Sequence, residues 1–364
     1  MMEITAMVAT VYSITANDDT GILNDALVNQ TTPFVHSQEN KYNFSSDHNF
    51  IVILADEYDS FCFDSSLEEE PESAGSLKDF TYYKDTVGMY GYSSAAIDHI
   101  FSGRYLGDEE YPTRFFDSLQ SNDYNVEFFI TNNDVLPQNI SSQYADNFQE
   151  YDINFRDLLR MDMCIYKLVG YKYSPEILKP LFYMTNSEIS ELMSAAESYY
   201  PDDLTFYNSI PDTGTVCEEK QFKFYYIYGL HDPRNITRDL ERAPDWSVSG
   251  EEQAIAVNKI LSAYIEMLKK TGVYDNSDIV ILADHGIKNH DSGKYPLLMI
   301  KRAGETHDEL NISDVRVSYD DVFPTLVCLA GGQPEKKTVF ELTSDDNERR
   351  YFDSTGEYIS GNIK

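Results

Sequence analysis

Basic residues are scarce. Lys and Arg number 28 against 62 Asp and Glu, a formal net charge of −34 over 364 residues. A surface this negative repels nucleic acid and anionic lipid headgroups alike, so neither is expected as a partner through general electrostatics. Anionic substrates stay open, because a bound cation reverses the field locally. Cysteine is also rare: Cys62, Cys164, Cys217 and Cys328 are widely spaced and show no CxxC pairing. That excludes a zinc ribbon and a disulfide scaffold. No apolar run approaches the roughly 18 residues of a membrane span. The N-terminus shows no basic region followed by an apolar stretch, so no signal peptide is expected.

What is present describes a folded α/β chain. Apolar residues make up 42% and charged residues 25%, ordinary for a globular protein. Asn49–Ala55 is continuously apolar and ends in Asp56-Glu57; residues 278–283 repeat the form and end in Asp284-His285-Gly286. Short runs apolar on both faces are the pattern of central parallel strands. Residues 126–130, 222–228 and 296–300 are further strand candidates. Between them Ser249-Gly-Glu-Glu252 opens a helix that Gly272 stops, and residues 319–329 suggest another, interrupted early by Pro324. Alternating strands and helices predict a mostly parallel sheet flanked by helices on both faces. Residues 1–46, polar and without periodicity, are expected as a loosely structured lead-in. Residues 140–200 suggest an insertion over one end of the sheet, and 336–364 a polar tail packed on a domain spanning 47–335.

In open α/β sheets, ligands bind at the carboxyl ends of the strands. Two candidate strands end there in acids and a histidine, a mixed O/N set suited to one divalent metal ion. Zn²⁺ or Mn²⁺ fits best, with Mg²⁺ or Ca²⁺ open if oxygen dominates. Taken singly, an Asp after a buried strand is as often a helix N-cap.

In combination, the segments resemble the alkaline phosphatase/sulfatase superfamily, in particular its lipoteichoic-acid-synthase-like and phosphoethanolamine- or phosphoglycerol-transferase-like branch. Asn49–Glu57 resembles the strand that delivers a metal-binding acid, and Val273–Gly286 the second metal-binding segment. Tyr92–Arg104 is similar to the nucleophile helix; counting ten positions back from Gly103 gives Ser93, with Ser94 as the alternative. Phe224–Pro233 resembles the strand ending in a Gly-x-His-x-Pro turn, whose His231 contacts substrate. Tyr295–Lys301 and Ser318–Gly331 resemble the next strand and the Asp-x-x-Pro-Thr helix. The resemblance implies a three-layer fold, with Asp56, Ser93, Asp284 and His285 around a metal and Glu57 as a further ligand. It also implies Ser93 as nucleophile, with His231 stabilising charge or protonating the leaving group. Arg104, Lys288 and His290, and also Lys294, are candidate substrate contacts.

The implied reaction moves a phosphoglycerol or phosphoethanolamine group from a phospholipid to a glycan or polyol through a phospho-serine. The setting is extracytoplasmic, with membrane association through segments absent from this chain. Two departures matter. The window after Ser93 lacks the Pro, Ser and Arg of formylglycine sulfatases, and the transferase branch usually carries Thr where Ser93 stands. A sulfatase-like phosphodiesterase, or a catalytically silent surface-binding domain, are the alternative readings.

Overall fold

The computed structural model describes residues 34–108, 111–130, 136, 138–150, 155–183, 203–287, 291–343, 351–352 and 358–359. Its centre is a seven-stranded sheet: β1 (Asn49–Ala55), β2 (Thr81–Tyr83), β3 (Tyr124–Phe129), β4 (Lys220–Ile227), β5 (Ser277–Leu282), β6 (Leu298–Lys301) and β7 (Asn311–Ser313). The order across the sheet is β7-β2-β6-β5-β1-β4-β3. Pairing is parallel throughout except on either side of β6, which alone runs against the others. All seven residues of β1 are buried, as its unbroken apolar run requires.

Alternate residues of the strands feed two separate cores. Phe50, Val52 and Leu54 of β1 pack with α2 (Ser93–Ser102), α3 (Arg114–Ser121) and α5 (Tyr319–Leu329) on one face. Ile51, Ile53 and Ala55 pack with α1 (Ser60–Glu69) and α4 (Gly250–Thr271) on the other. The result is the expected three-layer sandwich. Its helices start where side chains supply acceptors: the Ser249 hydroxyl accepts from the Glu252 amide, and Ser318 and Asp321 form a full capping box. Gly272, at φ 81°, closes α4 in the left-handed conformation glycine adopts freely.

Two expectations need correction. Residues 34–46 are not a loose lead-in: Phe34–His36 pairs with Phe148–Glu150, Asn43–Ser45 pairs with Thr215–Cys217, and Phe44 is fully buried. These strands are only three residues long, too short to show periodicity in sequence. Pro324 does not interrupt α5, because Val322, Leu326 and Val327 pack into the core on both sides of it. The expected lead-in at 1–33, the insertion across 184–202 and the tail at 344–350, 353–357 and 360–364 lie outside the described residues.

Candidate metal centre and nucleophile

Strand parity aims the key side chains. β1 and β5 are parallel neighbours with Leu54 opposite Leu282, so their carboxyl ends leave the sheet side by side. Asp56 and Asp284 each lie two residues past those leucines. Both therefore project toward the face that α2 covers, and α2 begins at Ser93. His285 follows Asp284. Four residues from three distant segments of the chain thus converge at one sheet edge.

The centre is the Nε2 atom of His285. It lies 3.3 Å from the Ser93 Oγ, 3.4 Å from an Asp284 oxygen and 3.9 Å from an Asp56 oxygen. Asp56, Asp284 and His285 are buried. The other ring nitrogen of His285, Nδ1, donates to the Gly286 carbonyl over 2.8 Å. A carbonyl can only accept, so Nδ1 carries a hydrogen and Nε2 is the ring atom turned to the cluster.

The carboxylates are tied on one side and open on the other. Asp284 Oδ1 accepts from the amides of Glu57 (3.2 Å) and His285 (2.9 Å). Asp56 Oδ2 accepts from the Tyr226 hydroxyl. Asp56 Oδ1 and Asp284 Oδ2, both buried, have no hydrogen-bond partner among the described residues. Buried carboxylate oxygens are rarely left so, because each costs its full desolvation. Burial, reinforced by the Asp284 charge, pushes the Asp56 carboxyl well above the usual carboxylate range. Burial also acts to raise Asp284, but the adjacent His285 and the hydrogen bonds donated to it outweigh that and hold it below its ordinary value.

A divalent cation fits this set. Four ligands at about 2.1 Å in a tetrahedron stand roughly 3.4 Å apart, the scale of the spacings around Nε2. Two orphaned carboxylate oxygens, an imidazole nitrogen and a hydroxyl are the hard and borderline donors that Zn²⁺ or Mn²⁺ takes. Glu57 joins them: ligand atoms of Asp56, Glu57 and His285 lie within 4.8 Å of one another. Glu57 is buried and held at φ 57°, a conformation costly for a side-chain-bearing residue. That bend carries its amide to Asp284.

The structure separates Ser93 from Ser94. Ser93 is half-buried and on His285, whereas Ser94 is exposed. Ser93 is also the first residue of α2, whose N-cap, Tyr92, offers no side-chain hydrogen bond. The first-turn amides are thus not capped by the usual hydroxyl or carboxylate, at a helix end that attracts anions. His231 sits on the turn after β4, which borders β1, so its loop leaves the same sheet edge. Its Nδ1 donates to the Asp232 carbonyl over 2.7 Å. Among the described residues it makes no hydrogen bond or ion pair with the cluster. Arg104 is not brought there: it follows the opposite end of α2, roughly 15 Å along the helix from Ser93. Lys294 lies on the turn Asp291–Lys294, where its carbonyl accepts from Gly88. Lys288 and His290 lie outside the described residues.

Several supports escaped the sequence. Tyr226 orients Asp56, and the Tyr319 hydroxyl donates to the carbonyl of Ala283, one residue before Asp284. Asp203 accepts from the amides of Tyr228 and Gly229, and Gln253 donates to the Gly229 carbonyl, together fixing the turn that carries His231. For Tyr226 there was a signal: a phenol inside a strand that is buried along most of its length usually finds a partner for its hydroxyl.

Comparison with known proteins bears on the fold. No family model matches the chain. A stretch of 159 residues is 30% identical to lipoteichoic acid synthase of Staphylococcus aureus, covering 38% of this chain and 24% of that relative. The chain thus matches about a quarter of the length of its curated relative. Among solved structures, a protein of the alkaline phosphatase superfamily from Vibrio parahaemolyticus superposes with a TM-score of 0.52 at 13% identity, over 90% of this chain and 77% of that one. A lipoteichoic acid synthase from Listeria monocytogenes gives a TM-score of 0.48 at 15% identity over 85% and 78%. The fold is that of the alkaline phosphatase superfamily, as the Vibrio parahaemolyticus structure shows, and the Staphylococcus aureus relative is by its name a synthase.

Proposed function

We propose that the protein is a metal-dependent phosphotransferase. It moves a phosphoglycerol or phosphoethanolamine group from a phospholipid to a hydroxyl of a cell-surface glycan or polyol, on the extracytoplasmic side, within a catalytic domain at 47–335. One observation carries the reading: the Ser93 hydroxyl lies 3.3 Å from His285 Nε2, beside two buried carboxylate oxygens that have no partner among the described residues. The stretch similar to lipoteichoic acid synthase supports the choice of donor and acceptor.

Asp56, Asp284 and His285, with Glu57, would hold the cation, which when bound lowers the cost of ionising the Ser93 hydroxyl. Ser93 Oγ then forms a bond to phosphorus as the bond from phosphorus to the diacylglycerol oxygen breaks. The serine proton ends on that departing oxygen. His231 is the proposed carrier, since its Nδ1 is committed to Asp232 and Nε2 is left for the exchange. The amides opening α2 receive phosphate oxygens as charge develops. An acceptor hydroxyl next attacks the phospho-serine, gives up its proton and restores Ser93. Lys288 and His290, close behind His285 in sequence, are proposed contacts for the transferred group.

The test uses phosphatidylglycerol and phosphatidylethanolamine with labelled headgroups, Mn²⁺, and a glycan acceptor present or omitted. Label should appear on Ser93 and pass to the glycan. Ser93→Ala should lower turnover by at least about 10³-fold, while Ser94→Ala stays within a few-fold. Undiminished transfer by Ser93→Ala would overturn the covalent mechanism. Headgroup release to water at the same rate with and without glycan would make the enzyme a phosphodiesterase.

A further inference from the structure

The described surface has one dense apolar region, far from the metal centre in sequence. Sixteen large apolar side chains are exposed among the described residues, and eleven of them fall within residues 163–183. They include Leu168 at 54% exposure, Leu181 at 73% and Ile177 at 85%. Monomeric proteins rarely expose apolar surface so densely unless something covers it.

The segment is a helical hairpin held by its own contacts. The helix Phe155–Tyr173 turns at Ser174-Pro175 into the short 3₁₀ helix Glu176–Phe182. The Tyr166 and Phe182 rings meet edge to face at 5.9 Å. A side chain at Gly170 would collide with the Phe182 ring, so this glycine allows the two arms to close. With the arms joined in this way, the described apolar side chains of residues 163–183 other than Phe182 stay exposed.

Charge tells which partner fits. The whole chain carries −34, yet residues 155–183 hold five basic residues (Arg156, Arg160, Lys167, Lys172, Lys179) against three acidic (Asp157, Asp162, Glu176), a net +2. Tyr166, Tyr171, Tyr173 and Tyr183 add exposed rings with polar tips, the kind enriched where hydrocarbon meets headgroups. A second copy of the chain would stack these lysines on each other and two strongly negative bodies together. An anionic lipid surface instead matches the lysines with phosphates and the leucines and isoleucines with acyl chains. No described helix is long and apolar enough to cross a membrane, so the geometry is one of lying on the surface.

We propose that the hairpin of residues 155–183 is a membrane-docking element that seats this otherwise acidic protein on anionic bilayers. This changes where membrane association is sought: in the chain itself rather than only in segments outside it. It is independent of the phosphotransfer reading, because its test measures binding and not turnover.

The full chain is sedimented with vesicles of phosphatidylcholine alone, and of phosphatidylcholine and phosphatidylglycerol in equal parts. Binding to the mixed vesicles is expected, at least about fivefold tighter than to phosphatidylcholine alone. Leu168→Asp with Ile177→Asp should weaken it about tenfold or more, and Ile177→Ser with Leu181→Ser, milder changes at the most exposed positions, should act in the same direction. Lys167→Glu with Lys172→Glu should abolish the preference for the anionic lipid. Circular dichroism and the melting midpoint show whether each variant is folded. Failure of the unaltered chain to sediment with either vesicle, or unchanged binding by folded variants of both apolar pairs, overturns the proposal. A dimer in sedimentation velocity that Ile177→Ser with Leu181→Ser dissolves would assign the face to a second copy instead.

Discussion

Tyr226 has a job that only its hydroxyl can do. It ties one oxygen of Asp56 and leaves the other turned to the cluster, so the carboxylate presents a single ligand atom in a set direction. Tyr226→Phe should raise the dissociation constant for Mn²⁺ about tenfold with little change in fold, read by isothermal titration calorimetry. His36 offers a test away from the site. Its ring is fully buried between Phe34, Phe128 and Phe148, neither nitrogen has a hydrogen-bond partner, and burial lowers its pKa to about 4. The unfolded chain takes up this proton near pH 6.5, while the folded one resists until about pH 4. Between those values the unfolded state binds more protons, so stability falls as pH falls, by roughly 3 kcal/mol in all. His36→Phe should flatten that slope in urea titrations run from pH 7 to pH 4. An unchanged slope would show that His36 does not carry it.

Among elements, the turn after β4 is tightly constrained. Gly229 has φ 59°, and a Cβ there would sit 2.5 Å from the Asp56 carbonyl oxygen. The next amide, of Leu230, donates to that same oxygen over 2.8 Å. Gly229→Ala should therefore cost about 2 kcal/mol or more in stability and also weaken metal binding, because the strain falls on the backbone of Asp56. Chemical denaturation and metal titration of the one variant check both effects. Much at this scale was legible beforehand. The apolar runs of β1 and β5, and the capped helices α4 and α5, appear close to the expected residues. The short strands at Phe34–His36 and Asn43–Ser45 did not show, because their stability comes from partners more than 100 residues away. The passage of α5 through Pro324 was equally hidden, since tertiary packing offsets the lost hydrogen bond.

For the whole molecule, a metal bound at this cluster would be coupled to folding. Two buried acids and a histidine from separate strands can be satisfied together only in the folded state, so a cation that binds them stabilises that state alone. Chelation should lower the melting midpoint by a few degrees relative to protein with Mn²⁺ at about 100 times its dissociation constant, where linkage contributes roughly 2.7 kcal/mol. Equal midpoints in calorimetry would count against the site. Order along the chain was sufficient for the sandwich: runs apolar on both faces can be buried only between two helical layers, and acids ending such runs must emerge at one edge. The family resemblance also marked Ser93 as a candidate, but left Ser94 open as the alternative and could not place Arg104. Those choices came from folding, because helix phase turns one serine toward His285 and its neighbour to solvent, while helix length carries Arg104 away. Tyr226, Asp203 and the bent backbone of Glu57 likewise gain their roles through contacts across strands, which no spacing in a linear chain encodes.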